Sequence, residues 1–126
     1  MTEQFELKPL IWVGSSRREF RSFPEEVKSE MGYALFLAQN GERHRKAKTF
    51  KGTGDAGVVE LVEDHRGDTF RTVYAVRFAS AVYVLHAFQK KSKTGIATPQ
   101  SDIRLIEQRL REAKQLHEDR HRGQNH

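Results

Sequence analysis

The chain has 126 residues, 22 basic and 17 acidic side chains, a formal charge of +5 at pH 7, 37% hydrophobic residues and no cysteine. These values fit a single domain, residues 1–126, with one modest core, and they exclude disulfides, thiolate nucleophiles and cysteine-based zinc sites. No apolar run approaches the roughly 20 residues that cross a bilayer, and the polar, acidic start Met1-Thr2-Glu3-Gln4-Phe5-Glu6 does not read as a secretory leader, so a cytoplasmic protein with no membrane partner is expected.

Leu10-Ile11-Trp12-Val13, stopped by Gly14-Ser15-Ser16, predicts a first strand. Ser15 or Ser16 then caps a short helix carrying Arg17, Arg18, Glu19 and Phe20. Pro24 followed by Glu25 and Glu26 has the form of a helix start. Val27, Met31, Ala34, Leu35 and Ala38 give that helix one apolar face through Gln39, and Asn40-Gly41 closes it. Residues 41–57 have no clean period; Gly52, Gly54 and Gly57 predict a mobile or tightly turning loop.

Val58–Glu63, Thr69–Phe78 and Ala81–Phe88 read as three strands rich in β-branched and aromatic residues. Their short connections, the first a turn over Asp64–Asp68, favour an antiparallel meander. The third strand is apolar at both alternating positions and is expected to be central. Thr98-Pro99 opens a last helix, with Thr98 as its cap and Ile103, Ile106, Leu110 and Ala113 on its apolar side; the polar tail after His117 is expected to fray. The order predicts a compact α+β domain with a core over about residues 8–115. It comprises an N-terminal strand, a helical hairpin, a three-stranded antiparallel meander and a C-terminal helix, the helices lying against one face of a curved sheet.

The positive charge is concentrated. Residues 1–40 and 57–88 each carry a net −1, whereas residues 41–56 carry +3 and residues 89–126 carry +4. The first basic stretch runs from Arg43 to Gly52 and the second opens with Lys90-Lys91-Ser92-Lys93. A polyanion is the natural partner of such loops, because neutralised phosphates release counterions. A solvated charged surface is the plainer alternative, unless the fold brings the two runs together. His117 and His121 have a spacing a metal can use, but no third ligand accompanies them, and Gly52–Gly57 lacks the Lys-Ser/Thr ending of a phosphate-binding loop. No metal and no cofactor is expected.

Several segments, in their order and spacing, resemble the RelE/ParE superfamily of bacterial toxins, and within it the HigB-type, phage-related branch. They are Lys8-Pro9-Leu10-Ile11-Trp12-Val13-Gly14-Ser15, Phe23-Pro24-Glu25-Glu26-Val27, Phe70-Arg71-Thr72-Val73-Tyr74, Val84-Leu85-His86-Ala87-Phe88-Gln89-Lys90-Lys91, and Thr98-Pro99 with Ile103 and Arg109 behind it. The resemblance implies a type II toxin that enters the ribosomal A site, cuts mRNA as a metal-independent endoribonuclease, and is held inactive by a HigA-like helix-turn-helix antitoxin. It also implies that Arg71 corresponds to the strand arginine that contacts the scissile phosphate. Two features of many relatives are absent: Val62 stands where an arginine follows Glu60-Leu61, and no C-terminal tyrosine matches.

Cleavage through a 2′-hydroxyl needs fixed cations at the phosphate and groups that move protons. Arg71, Lys90, Lys91 and His86 are the candidate catalytic residues, His86 because an unperturbed imidazole is the side chain that changes charge near neutral pH. Arg45, Lys46, Lys48, Lys51 and Lys93 are candidate RNA-backbone contacts, and Phe88 is a candidate base-stacking ring. Each has a plainer reading: an ion-paired structural arginine, a core phenylalanine, a buried hydrogen-bonded histidine. Two rival functions share the same fold: a ParE-like toxin that inhibits DNA gyrase, and a non-catalytic phage-related binding protein.

Overall fold

The computed structural model describes residues 7–90 and 98–123. The chain forms β1 (Leu10–Trp12), α1 (Ser16–Arg21), α2 (Glu25–Gln39), β2 (Lys48–Thr49), β3 (Val58–His65), β4 (Asp68–Ala75), β5 (Val82–Lys90) and α3 (Gln100–Gly123), with a short 3-10 turn at Lys51–Thr53. The expected α+β architecture is present. The meander β3–β4–β5 is extended at both sides into a five-stranded sheet of order β1-β5-β4-β3-β2. β1 lies parallel to β5, pairing Leu10 with Val82 and Trp12 with Val84. β2 rises out of the segment expected to be a loop, because Lys48 and Thr49 pair antiparallel with Glu60 and Val59.

The hairpin between β3 and β4 sets the register of the whole sheet. Its two-residue turn, Arg66-Gly67, has positive φ at both positions, 50° and 86°. This is the primed turn whose twist matches paired strands. His65 therefore faces Asp68, Val62 faces Arg71, and Glu60 faces Val73.

The helices do not share one face of the sheet, as expected from the sequence; they cover both. Val27, Met31, Ala34, Leu35 and Ala38 of α2, with Phe20 and Phe23, pack on Val59, Leu61, Phe70, Tyr74, Val84 and Ala87. Ile106, Leu110 and Ala113 of α3 pack on Val58, Val73, Ala75, Tyr83 and Leu85. Alternate residues of a strand point to opposite faces, so two apolar sets on each strand require two covering layers. The unbroken apolar run of β5 is the sequence sign of that double coverage.

A bulge in β5 decides which residues join which layer. Val73 pairs with His86 but Tyr74 pairs with Val84, so Leu85 is the additional residue. Tyr83 and Leu85, and beyond the bulge His86, Phe88 and Lys90, consequently lie toward α3.

α3 continues past His117 to Gly123 rather than fraying there. His117 packs on the Phe78 ring with centroids 4.6 Å apart, and its Nδ1 lies 3.4 Å from the Tyr83 hydroxyl. Ile106, which is fully buried, anchors the helix, whereas Leu116 is 41% exposed. Ile106→Ala should cost about 2–5 kcal/mol in urea unfolding, and Leu116→Ala less than about 0.5 kcal/mol. Equal effects would contradict this account of how α3 is held.

Candidate functional site

Three elements converge on Arg71. The β3–β4 register places Glu60 on the same face as Arg71, one diagonal step along the hairpin. On the other flank Phe88 pairs with Arg71 and Lys90 with Thr69, so both share that face. β2 brings Lys48 opposite Glu60. The result is a cleft of about 390 Å³ lined by Lys48, Lys51, Glu60, Arg71, Thr98 and Ile103, among others.

Arg71 and Glu60 form the floor, 7% and 8% exposed. Arg71 donates from Nη1 to Glu60 Oε2 at 3.3 Å and to Thr98 Oγ1 at 3.3 Å. Lys48 Nζ stands 4.0 Å from Glu60 Oε1, so one carboxylate bridges two cations. Thr98, expected only as a helix cap, thus ties the approach to α3 to the floor of the cleft. Lys48 and Lys51 are exposed at the rim. Among the lining residues three cations face one carboxylate, and a pocket of this kind attracts anions. Lys90 adds to that field. Partial desolvation, and then the charge of Arg71, lower its ammonium pKa from the ordinary value.

The other expected site residues divide. Lys46 does not join the cleft: its ammonium reaches Glu63 at 3.3 Å, and Glu63 pairs with Phe70 on the α2 side of β3. Arg45 is exposed and is not among the lining residues. Lys91 and Lys93 lie outside the described residues. Phe88 is partly buried and stacks on His86, centroids 4.6 Å apart and planes 18° apart; it packs against the α3-side core.

His86, expected as a candidate acid or base, lies outside the cleft lining. It is 5% exposed, its Nδ1 lies 2.9 Å from Glu19 Oε1, and its Nε2 lies 2.7 Å from Asp102 Oδ1. Both nitrogens are engaged by carboxylates. The imidazole instead joins α1 to the first turn of α3. Arg109 completes this cluster, gripping Glu19 with both Nη atoms at 2.8 and 3.1 Å and donating to the Leu85 carbonyl at 2.9 Å and Ser15 Oγ at 2.9 Å.

Gly14, at φ 57°, makes room for this cluster: a Cβ there would stand 2.9 Å from Arg109 Nε. Nothing in the local sequence announces the pairing of Glu19, His86, Asp102 and Arg109, which come from α1, β5 and α3. Glu60 was legible in principle, since counting back from the Arg66-Gly67 turn puts it beside Arg71.

Burial alone would raise the Glu19 pKa. Hydrogen bonds from His86 and Arg109, the charge of His86 and the Ala87 N–H outweigh it and bring the pKa from 4.5 down to about 2. A depressed folded-state value means the stabilisation is present above about pH 4.5 and is lost as pH falls toward 2. Glu19→Gln should therefore be less stable than the parent at pH 6, and the gap should close by about 1–2 kcal/mol between those pH values. That figure is discounted for a side chain still 23% exposed. Urea unfolding across pH measures it, and a gap independent of pH would overturn the assignment.

Solved structures similar to part of this chain include two toxin structures. One is a mutant of the E. coli toxin RelE in the free state, 18% identical over 65% of this chain and 82% of that one, with a TM-score of 0.49. The other is the toxin–antitoxin complex RelBE2 from Mycobacterium tuberculosis, 16% identical over 72% of this chain and 100% of that one, with a TM-score of 0.46. No curated protein sequence matches. A family model described as "Phage derived protein Gp49-like (DUF891)" matches residues 18–111, which include most of α1, α2, the whole β3–β5 meander and the packed half of α3. The chain belongs to this phage-derived Gp49-like family.

Proposed function

We propose that the protein is the toxin of a type II toxin–antitoxin pair, of HigB type, and acts as a metal-independent, ribosome-dependent endoribonuclease on mRNA, restrained by a HigA-like helix-turn-helix antitoxin. The observation that carries the reading is the cleft floor, where a nearly buried arginine and a carboxylate lie side by side under two exposed lysines. Family membership and the resemblance of the Phe70–Tyr74 and Val84–Lys91 segments support it.

The chemistry follows from that geometry. Attack of a ribose 2′-hydroxyl on the adjacent phosphate builds negative charge on the non-bridging oxygens. Arg71 presents a planar donor set to that charge, and Lys48, Lys51 and Lys90 add to the field around it. Glu60 is the carboxylate among the lining residues and the natural acceptor for the 2′-hydroxyl proton. Its contact with Arg71 orients the guanidinium before RNA arrives, and an entering phosphate takes over part of that pairing. The leaving 5′-oxygen takes its proton from a cleft ammonium or from water. Phe88 pairs with Arg71 in the ladder, which sets its ring on the same face as that guanidinium for a base to stack on.

Induction of the intact chain should arrest growth and generate new transcript 5′ ends within translated frames. Arg71→Ala should cut cleavage by about 10²–10³-fold, the usual effect of removing one fixed donor to a developing oxyanion. Glu60→Gln should lower the cleavage rate by about 10²–10⁴-fold while RNA affinity is held or raised, since a repelling charge is removed. DNA breaks with no new transcript ends would instead assign the fold to a gyrase-inhibiting role. Undiminished cleavage by Arg71→Ala would refute the cleft as the site.

A further inference from the structure

The outer face of α1 carries charge that the fold leaves unneutralised. Arg17, Arg18 and Arg21 line a shallow depression of about 500 Å³ together with Gly14 and Ser15, and all three are exposed. Among the described residues none of the three forms an ion pair, whereas Lys28, Lys46 and Arg77 each reach a carboxylate, at 2.8, 3.3 and 2.6 Å. The reason lies in the buried cluster. Glu19 is the single acid of α1, and it points inward onto Arg109 and His86. The helix therefore turns its anion to the interior and three cations to solvent.

The depression shares no lining residue with the Arg71 cleft. Residues three and four apart on a helix have Cβ atoms about 5–6 Å apart, so these guanidinium groups can grip neighbouring phosphates, each with two parallel N–H bonds. No apolar side chain is among the lining residues. A folded protein partner ordinarily seats aromatic or aliphatic side chains at the centre of its contact, whereas a phosphate backbone needs none. Nor is there an aromatic ring on which an unpaired base could stack, which favours a base-paired segment read through its backbone.

We propose that the α1 arginine face binds the phosphate backbone of double-stranded RNA, as an anchor separate from the cleft. The choice of RNA over DNA rests on the proposed function; the phosphate contact does not.

The test uses the full chain and a labelled RNA duplex with 2′-O-methyl riboses, which cannot be cut through a 2′-hydroxyl, followed by anisotropy over a range of salt. Replacing Arg17, Arg18 and Arg21 together by Ala should weaken binding at least about tenfold at low salt and reduce the log–log salt slope by about 2–3, near 0.9 for each phosphate no longer neutralised. The Arg104→Ala/Arg111→Ala double variant, which removes two exposed cations of α3 outside both surfaces, should keep the parent slope on this probe. The corresponding triple lysine variant, which retains the charge, should also keep it. A parent-like slope in the alanine triple overturns the proposal, as does an equal loss in the lysine triple, which would make the effect structural. Polyglutamate competing as well as the duplex would mark an acidic-protein surface and overturn it too. Because the probe cannot be cleaved, absence of transcript cleavage in cells with this slope change intact would refute the cleft reading alone.

Discussion

The bidentate contact between Glu19 and Arg109 is the interaction on which the arrangement depends. β5 runs from Val82 to Lys90, but its parallel neighbour β1 pairs only as far as Val84. Beyond that point the edge of β5 presents polar backbone groups that need partners. Side chains supply them: Ser16 Oγ donates to the Val84 carbonyl, Arg109 donates to the Leu85 carbonyl, and the Ala87 N–H donates to Glu19. α1 and α3 thereby take the place of a continuation of β1. An arginine and a glutamate can be buried here because each satisfies the other and both satisfy the sheet edge; either one left alone would be a costly buried charge.

The β5 bulge extends that constraint to the cleft. One additional residue at Leu85 turns His86, Phe88 and Lys90 to the side of Arg71 and α3. His86 can then reach Asp102 in the first turn of α3 while holding Glu19 with its other nitrogen. The start of α3 is fixed in this way, and Thr98 just before it meets Arg71. The cleft floor thus inherits its geometry from a cluster that does not line it.

Two carboxylates organise the cations of the molecule in opposite ways. Glu60 remains at the surface of its cleft, orienting Arg71 and standing near Lys48 without cancelling the field of the surrounding ammonium groups. Glu19 withdraws into the interior, neutralises Arg109, and leaves the outer arginines of α1 unopposed. A formal charge of +5 becomes two separate anion-attracting surfaces because these two acids are placed by the fold rather than spread among the nearest cations. Lys46 shows the contrary outcome, since its pairing with Glu63 on the other side of β3 removes it from the cleft.

The periodicity of α2, the turn of the hairpin, the β3–β5 meander and the apolar side of α3 were legible in the sequence, because each follows from local spacing and local turn chemistry. The position of Arg71 beside the loop lysines was legible through the resemblance and, for Glu60, through register counted from Arg66-Gly67. Tertiary structure alone decided that the helices cover both faces, since the apolar run of β5 calls for two layers without naming their occupants. It also decided that Lys48 and Thr49 become a strand, a two-residue pairing too short to leave a periodic signal. The fate of His86 was decided there as well: an imidazole is equally suited to moving a proton and to bridging two carboxylates, and only the convergence of Glu19 and Asp102 from distant segments selects the second.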